Sequence, residues 1–497
     1  MSIFFPFQGA KTETEILREQ VAENAYRYMD NKTALTFEVT KFLNSDKRKW
    51  MVDGDLYYRG EQDILNQGRT AIGDNGQLRP LENLPDYRIV DNQYAKLVDQ
   101  KANYQLGKPF SVESENDRYQ EELTKVFNRR FNKTLKETLV EAMNGGVGWI
   151  YTYYNDRGEL SFKTFPAHEI IPFYDDEEGF LKGVLRVYKT LEYEGGTEVT
   201  VKRVEHYSRD GIDHYIYDGI VLIDDVERER RAYIQVERET EEGIIREEYN
   251  WDRVPFIPFK FNALEIPLIK RTKSLQDAIN KLISMFQNNM LEDARNTILI
   301  LKNYDGQNLA EFRQNLNAYG IVKLRSTPGV EGGLESLNVE VNSGNYEALL
   351  KTLKKALIEN GRGFDAKDDR MSSNPNQMNI QSMYADIELD ANGIETEFQA
   401  SFEDLLWFVN QHLKNMGLGD FDGEQVNIVF NRDMLSNEKE IVETLVASMG
   451  MLSMETLIAQ HPYVVDPQLE MERKLSEENR LLESTNPYAG TFEETVV

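Results

Sequence analysis

The sequence has few reactive residue types at spacings that could support catalysis. Cysteine is absent, and the five histidines stand far apart at positions 168, 206, 214, 412 and 461. "HEIIP" begins at His168 like a zinc-protease helix, but Pro172 occupies the fifth position, where a second histidine would be needed. "GDFDGE" at 419–424 has the first acids of a calcium loop without the later ligands. These patterns predict no metal site and no cofactor.

Sequence motifs for nucleotide binding and for acyl transfer are missing as well. The chain has no G-x-x-x-x-G-K-[ST], no G-x-G-x-x-G after a strand and no G-x-S-x-G. Acid pairs such as Glu388 and Asp390 are expected by chance among 85 acidic residues, so they do not indicate glycosidase chemistry. We therefore predict that the protein is not an enzyme and that its function depends on geometry.

The charge balance limits the possible partners. The net charge is −28, from 57 basic and 85 acidic residues. Proteins that hold DNA or membranes do so with clustered Lys and Arg, so static binding of either is disfavoured, although transient passage of DNA is not. No apolar run reaches the ~18 residues that span a bilayer, and "MSIFFPF" lacks the basic start of a signal peptide. A soluble, cytoplasmic protein without a membrane partner is expected.

The predicted elements indicate an α+β protein that is mainly helical. Segments 12–30, 37–66 and 92–107 read as helices, and 72–86 reads as a loop because of its Gly, Pro, Asn and Asp content. The region 145–261 reads as antiparallel strands, with turns at Asn155 to Gly158, Asp210-Gly211 and Asp218-Gly219. The charge-dense stretch 224–248 within that region is interpreted as a solvated face.

Three helices follow the β region, and a small αβ insertion at about 296–343 separates the first two. The first carries the stripe Leu275, Ile279, Leu282, Phe286 and Met290. The second, 345–360, ends at Gly361 and Gly363. The third is very long, with a kink predicted at Asn392-Gly393 and a stripe at a spacing close to 3.6: Ile380, Met383, Tyr384, Ile387, Ala391, Ile394, Phe398, Phe402, Leu405, Val409 and Leu413. Further helices are expected around 436–449, 453–460 and 467–483.

The loop between the second and third helices is polar and nearly neutral. In "GRGFDAKDDRMSSNPNQMN" (361–379) the charges of three basic residues are balanced by those of three acidic residues. A structureless loop of this length is uncommon in a compact domain, although an ordinary solvent loop remains the alternative. Helices with an apolar stripe on one face need neighbours, which identical copies packed in a ring would supply. In such a ring the loop would point into the central hole.

Several stretches, in this order, resemble the phage portal proteins found in long-tailed phages of Gram-positive bacteria. Together these stretches cover nearly the whole chain. They are "LYYRGEQDIL" (56–65), "RIVDNQYAKLVDQKANYQLGKPF" (88–110), "GWIYTYYNDRGELSFKTFPAHEIIPFYDD" (148–176), "PLIKRTKSLQDAINKL" (267–282), "ILILKNYDG" (298–306) and "MLSMETLIAQHPYVVDPQLEMERKLSEEN" (451–479).

The resemblance implies a ring of twelve subunits at one capsid vertex, through which double-stranded DNA enters and later leaves. It implies a virion location and, as partners, a terminase motor, the major capsid and scaffolding proteins, and a head-completion or adaptor protein. It also implies a portal fold with these parts: an N-terminal helical part of the wing (1–89), the wing with its β region (90–266), a stem helix (267–295), the clip (296–343), a second stem helix (344–361), the tunnel loop (362–378), the long wing helix (379–416), crown helices (417–483) and a flexible tail (484–497).

Two groups of candidate site residues follow from the resemblance. A loop in contact with moving DNA should not hold phosphate tightly, because each persistent contact adds salt-dependent affinity. The candidates in the tunnel loop are Arg362, Lys367, Asp368, Asp369, Arg370, Asn374, Asn376 and Gln377. A basic cluster in the stem, Lys270, Arg271 and Lys273, is expected either near the channel or against an acidic neighbouring subunit. The alternatives are another ring-forming head–tail connector and a carboxylate-metal nuclease.

Overall fold

The computed structural model describes most of the chain, in segments. The described residues are 32–72, 77–80, 85–174, 180–194, 196–240, 243–293, 298–302, 333–337, 343–365, 377–432, 438–464, 470–471, 473–477 and 480. The chain divides into two compact units. Unit 1 comprises residues 1–363 and 390–431, and unit 2 comprises residues 364–389 and 432–497. The helix predicted at 12–30 lies outside the described residues.

Ten helices among the described residues are numbered here in chain order. They are α1 (Lys32–Leu43), α2 (Asp46–Arg59), α3 (Gln93–Leu106), α4 (Asp117–Val126), α5 (Arg129–Gly145), α6 (Ile269–Asp293), α7 (Ser343–Asn360), α8 (Gln377–Asn415), α9 (Glu438–Ala447) and α10 (Met454–Ala459). Two short 3-10 helices cover Asp63–Asn66 and Ala167–Glu169. The predicted helices at 92–107, 345–360, 436–449 and 453–460 are therefore confirmed to within a few residues.

The described strands all pair in antiparallel fashion. They are β1 (Thr70–Ile72), β2 (Leu78–Pro80), β3 (Ser111–Ser114), β4 (Val147–Tyr154), β5 (Leu160–Phe165), β6 (Ile170–Tyr174), β7 (Leu181–Glu194), β8 (Thr197–Ser208), β9 (Gly211–Tyr217), β10 (Leu222–Asp224), β11 (Ile234–Thr240), β12 (Gly243–Tyr249), β13 (Phe256–Lys260), β14 (Ile298–Lys302), β15 (Gly333–Leu337) and β16 (Val426–Val429).

Two sheets contain most of the β region. One has five strands in the order β10-β9-β8-β7-β6, and the other has three in the order β13-β4-β5. The turns predicted at Asn155 to Gly158 and at Asp210-Gly211 join β4 to β5 and β8 to β9. Gly158 and Gly211 have φ of 74° and 121°, a region that favours glycine, so these turns are encoded locally. The antiparallel region predicted at 145–261 is confirmed.

The long helix α8 organises the main core of unit 1 through its apolar stripe. Phe398 and Phe402 are fully buried and meet Phe259 of β13 edge to face, with ring centroids 5.0 and 5.7 Å apart. Phe402 also contacts Phe110, with the ring centroids 5.3 Å apart. All eleven members of the predicted stripe are buried, which confirms the 3.6-residue pattern. The helix continues through Asn392 and Gly393, so the glycine does not end it.

Three features of unit 1 differ from the sequence predictions. The segment 72–86 contains part of a hairpin, in which Thr70 pairs with Pro80, rather than a plain loop. The stretch 224–248 is not wholly solvated, because the carboxylate of Asp225 is buried and forms an ion pair with the guanidinium of Arg203 on β8. Strands β3 and β16 pair across some 300 residues of sequence, a distance over which no local pattern carries information.

Unit 2 has its own contacts around the first turns of α8. The ring of Phe364 stacks on Tyr384, with centroids 4.6 Å apart and planes 20° apart. Glu388 on the same helix forms an ion pair with the guanidinium of Arg432. Ile380 and Ile387 lie buried on the stripe of the helix. The short helices α9 and α10 complete the labelled elements of this unit.

Candidate functional site at the base of the polar loop

Most of the predicted DNA-facing loop falls outside the described residues. This applies to Lys367, Asp368, Asp369, Arg370, Asn374 and Asn376. Gln377 begins helix α8. Arg362, at the opposite end of the loop, is the charged loop candidate whose contacts are known. The candidate site is therefore built from Arg362 outward.

Arg362 lies in a tight turn that directly follows α7. Its φ is 50°, an uncommon value for a residue other than glycine. A Cβ atom on either neighbour, Gly361 or Gly363, would overlap the methyl groups of Leu97 on α3. The two glycines thus end the helix, as predicted, and they also allow the backbone to lie directly against α3.

The carboxylate of Asp390 on α8 binds three cations from three other elements. Lys101 Nζ on α3 lies 2.9 Å from Oδ2, Arg271 on α6 lies 3.1 Å from Oδ2, and Arg362 lies 2.7 Å from Oδ1. Lys101 Nζ also donates a hydrogen bond of 2.8 Å to the carbonyl oxygen of Arg362. We name Lys101, Arg271, Arg362 and Asp390 the Asp390 cluster.

The contribution of the Asp390 cluster to stability depends on how deeply its charges are buried. The side chains of Lys101 and Asp390 are only 2% and 7% exposed, whereas those of Arg271 and Arg362 are 31% and 43% exposed. Surface ion pairs contribute about 0–1 kcal/mol. Removal of one member of a buried pair costs about 3–5 kcal/mol, because the other charge is left in a medium that solvates it poorly. The Lys101–Asp390 pair belongs to the second class.

The pKa shifts of the cluster reflect three cations sharing one carboxylate. Burial alone would raise the pKa of Asp390, but the charge and hydrogen bond of Lys101, together with Arg271 and Arg362, hold it below its usual value. Burial lowers the pKa of Lys101, and the two arginines lower it further, so the attraction of Asp390 offsets only part of the shift. The cluster therefore stabilises the ionised form of Asp390 more than it stabilises the ammonium form of Lys101.

The predicted stem cluster of Lys270, Arg271 and Lys273 does not form one cationic surface. Arg271 points to Asp390. Lys270 is exposed, with its ammonium 6.0 Å from the centroid of the Trp50 ring. The three side chains lie in the first turn of α6 but have different surroundings.

Lys273 is surrounded by acidic residues of its own chain. Its Nζ lies 2.5 Å from Asp63 and donates a hydrogen bond of 2.6 Å to the hydroxyl of Tyr57. Asp277 and Asp53 stand 3.6 and 3.9 Å away. Burial raises the pKa of Asp53, as does the nearby charge of Asp63, although Lys273 opposes the shift. Lys273 thus neutralises a local excess of carboxylates.

Helix α6 is positioned by a polar face that the apolar-stripe prediction missed. Of the predicted stripe, Ile279 is fully buried, whereas Met290 is 56% exposed. The most buried face instead carries five polar side chains at intervals of four residues, which we name the polar ladder: Thr272, Gln276, Asn280, Ser284 and Asn288.

The polar ladder binds the backbone of the extended segment that leads into α3. The amides of Tyr87, Ile89 and Asp91 donate to Asn288, Ser284 and Asn280, at 2.8, 2.9 and 3.0 Å. Four helical residues rise about 6.0 Å, and two extended residues span about 6.6 Å, so every fourth side chain meets every second amide. Because the ladder holds α6 in register, it also sets the positions of Arg271 and Lys273.

Two histidines distant from this site lie on neighbouring strands, each opposite an acidic residue of the other strand. His206 Nδ1 lies 3.6 Å from Asp213, and His214 Nδ1 lies 3.9 Å from Glu205. In the part of the chain that the structure describes, no group of three or more His, Cys, Asp or Glu side chains could hold a metal ion. The helices described there include none that is long and apolar enough to cross a bilayer.

Comparison with known proteins gives a consistent result. The model of a family described as "Phage portal protein, SPP1 Gp6-like" matches residues 47–483. The chain is 27% identical over 477 residues to the portal protein of Bacillus phage SPP1, covering 95% of this chain and 92% of that protein. It is 28% identical over 448 residues to the portal protein of Clostridium phage phiCD119, covering 88% and 94%. The chain belongs to the SPP1 Gp6-like family of phage portal proteins.

Proposed function

We propose that this protein forms the ring at one capsid vertex through which phage double-stranded DNA is packaged and later ejected. The observation that carries the proposal is the family match over residues 47–483. Two relatives that align with nearly the whole chain are both named portal proteins. In this proposal α6 and α7 form the stem, α8 is the long wing helix, and residues 362–378 are the tunnel loop.

Exposed apolar side chains on the two stem helices support assembly from several copies. Met285 and Met290 on α6, and Leu349 on α7, are each about half exposed. Large apolar side chains in such positions are covered when identical subunits pack side by side. Twelve subunits are expected from the likeness to portal proteins.

The charge of the chain suits DNA that passes without being held. A net charge of −28 repels phosphate, and the tunnel loop balances its own charges, so counterion release on DNA contact is small. Of the stem cations, Arg271 and Lys273 are paired within the chain, whereas Lys270 is exposed over Trp50. Lys270 is therefore the member of the stem cluster best placed to meet DNA or an acidic neighbouring subunit.

The remaining partners follow from the same proposal. The ring would dock a terminase motor during packaging and a head-completion or adaptor protein afterwards, and it would contact major capsid and scaffolding proteins. The sequence has no G-x-x-x-x-G-K-[ST] motif, so the energy for translocation would come from the separate motor. The protein itself would be a non-enzymatic component of the virion.

Negative-stain imaging of the purified full-length protein tests the proposal. We expect class averages with rotational symmetry and a central hole. The variant Met290→Glu with Leu349→Glu should lose the rings, because it places charges on the stem faces that neighbours would cover. Ile223→Glu, a similarly exposed position on β10 of the five-stranded sheet, should keep them. A monomer at high concentration, or hydrolysis of plasmid DNA with a divalent metal, would contradict the proposal.

A further inference from the structure

The Asp390 cluster stands where the chain leaves unit 1 and where it returns. Unit 1 ends its first part at Gly363 and resumes at Asp390. The intervening segment, 364–389, contains most of the tunnel loop and the first turns of α8. The guanidinium of Arg362 and the carboxylate of Asp390, which meet at 2.7 Å, therefore join the two ends of this segment.

We propose that Asp390 is a positioning residue that closes the base of the segment 364–389, and that Arg362 is its anchor rather than a DNA contact. The inference concerns how the tunnel loop is held, so its relevance to DNA rests on the proposed function. The ion pair itself does not depend on that function.

The first end of the segment is held by three kinds of contact. Gly361 and Gly363 pack without side chains against Leu97. The ammonium of Lys101 holds the carbonyl of Arg362 at 2.8 Å, and the positive φ of Arg362 turns its side chain back toward α8. A loop residue held in this way cannot follow a moving ligand.

The second end is held by burial on α8. Asp390 is buried with its oxygens bound to Lys101 and Arg271 as well as to Arg362. Ala391 and Ile394, which follow on the helix, lie in the core of unit 1. Burial thus holds the helix in place at Asp390. The ion pair to Arg362 limits the distance between the two ends of the segment.

Hydrogen exchange on the full-length protein, measured peptide by peptide, tests this inference. Arg362→Gln removes the half-exposed partner and leaves Lys101 and Arg271 on Asp390. We expect exchange to rise about tenfold in peptides covering 361–365 and 377–389, which corresponds to about 1.4 kcal/mol of local opening. Asp386→Asn, an exposed carboxyl one turn earlier on α8, is the matched control and should leave exchange unchanged.

The double variant separates anchoring from a general loss of stability. In the Asp390→Asn background, Arg362→Gln should add little, because the partner through which it acts is already gone. Full additivity, or a rise that Arg362→Gln spreads evenly over the chain, would overturn the inference. So would unchanged exchange at both ends of the segment. The measurement needs no DNA and no capsid, so its failure is distinct from failure of the ring in negative stain.

Discussion

At the scale of single residues, Asp390 shows how burial changes the meaning of a common side chain. In the sequence it is one of 85 acids and belongs to a pair that chance explains. In the structure it binds Lys101, Arg271 and Arg362. Because the folded protein favours its ionised form, Asp390 binds a proton less readily there than in the unfolded chain. Its contribution to stability is therefore complete above the unfolded pKa of about 3.9 and is lost as the pH falls through the lower folded value.

The pH dependence of unfolding checks this contribution. We expect Asp390→Asn to lower the free energy of unfolding by about 3 kcal/mol near pH 7. The difference between the variant and the original protein should shrink as the pH falls below about 4, because protonation removes the same charge. Thermal unfolding followed by circular dichroism between pH 7 and pH 3 measures it. A difference that stays constant over this range would show that Asp390 acts through packing rather than charge.

At the scale of elements, helix α6, which the proposed function assigns to the stem, is held by hydrogen bonds at the face where most helices are held by apolar contact. Asn280 is fully buried and accepts from the amide of Asp91 while it donates to Gln62 at 2.5 Å. An apolar replacement would bury more carbon but leave both groups unsatisfied. Each unsatisfied buried group costs about 1–3 kcal/mol, so the two together outweigh the gain of about 1.5–3 kcal/mol from burying a leucine side chain.

Substitution within the ladder tests which force holds α6. Asn280→Leu is expected to lower the free energy of unfolding by about 2–4 kcal/mol, as measured by urea denaturation. Gln287→Leu, at an exposed position on the same helix, should change it by no more than about 0.5 kcal/mol. An Asn280→Leu variant as stable as the original protein would mean that the ladder positions α6 without stabilising it.

At the scale of the whole molecule, net charge determines how tightly an assembled ring would bind DNA. Each neutralised phosphate contributes about −0.9 to the slope of the logarithm of affinity against the logarithm of salt concentration. The chain carries −28, and Arg271 and Lys273 already have carboxylate partners within it. Those two cations are therefore already neutralised within the chain and are poorly placed for persistent phosphate contacts.

Titration of labelled duplex DNA with the purified assembly measures this property. We expect dissociation constants weaker than about 10⁻⁴ M at 0.15 M salt and a salt slope close to zero. A slope of about −5 or steeper would imply six or more phosphate contacts. The channel would then bind DNA persistently, which would contradict the proposal that DNA slides past the loop and the stem.

Local patterns in the sequence were sufficient for many of the elements and for the family resemblance, but they missed α4 and α5 and read 37–66 as one helix, which the structure divides at residues 44–45. The apolar stripe of α8 and the glycine turns of the β region were predicted correctly, because side-chain period and backbone freedom are local properties. The polar ladder was visible as five polar residues four apart, but its burial was not, since polar faces usually meet water.

Only the tertiary structure decided which charges are buried and with what they pair. Lys101, Arg271, Arg362 and Asp390 come from four elements spread over 290 residues of sequence, and their spacing along the chain carries no record of their contact. Electrostatic strength depends on distance in space and on the exclusion of water, and the fold determines both. The sequence thus determined that the loop is polar and balanced, whereas the fold determined where that loop is held.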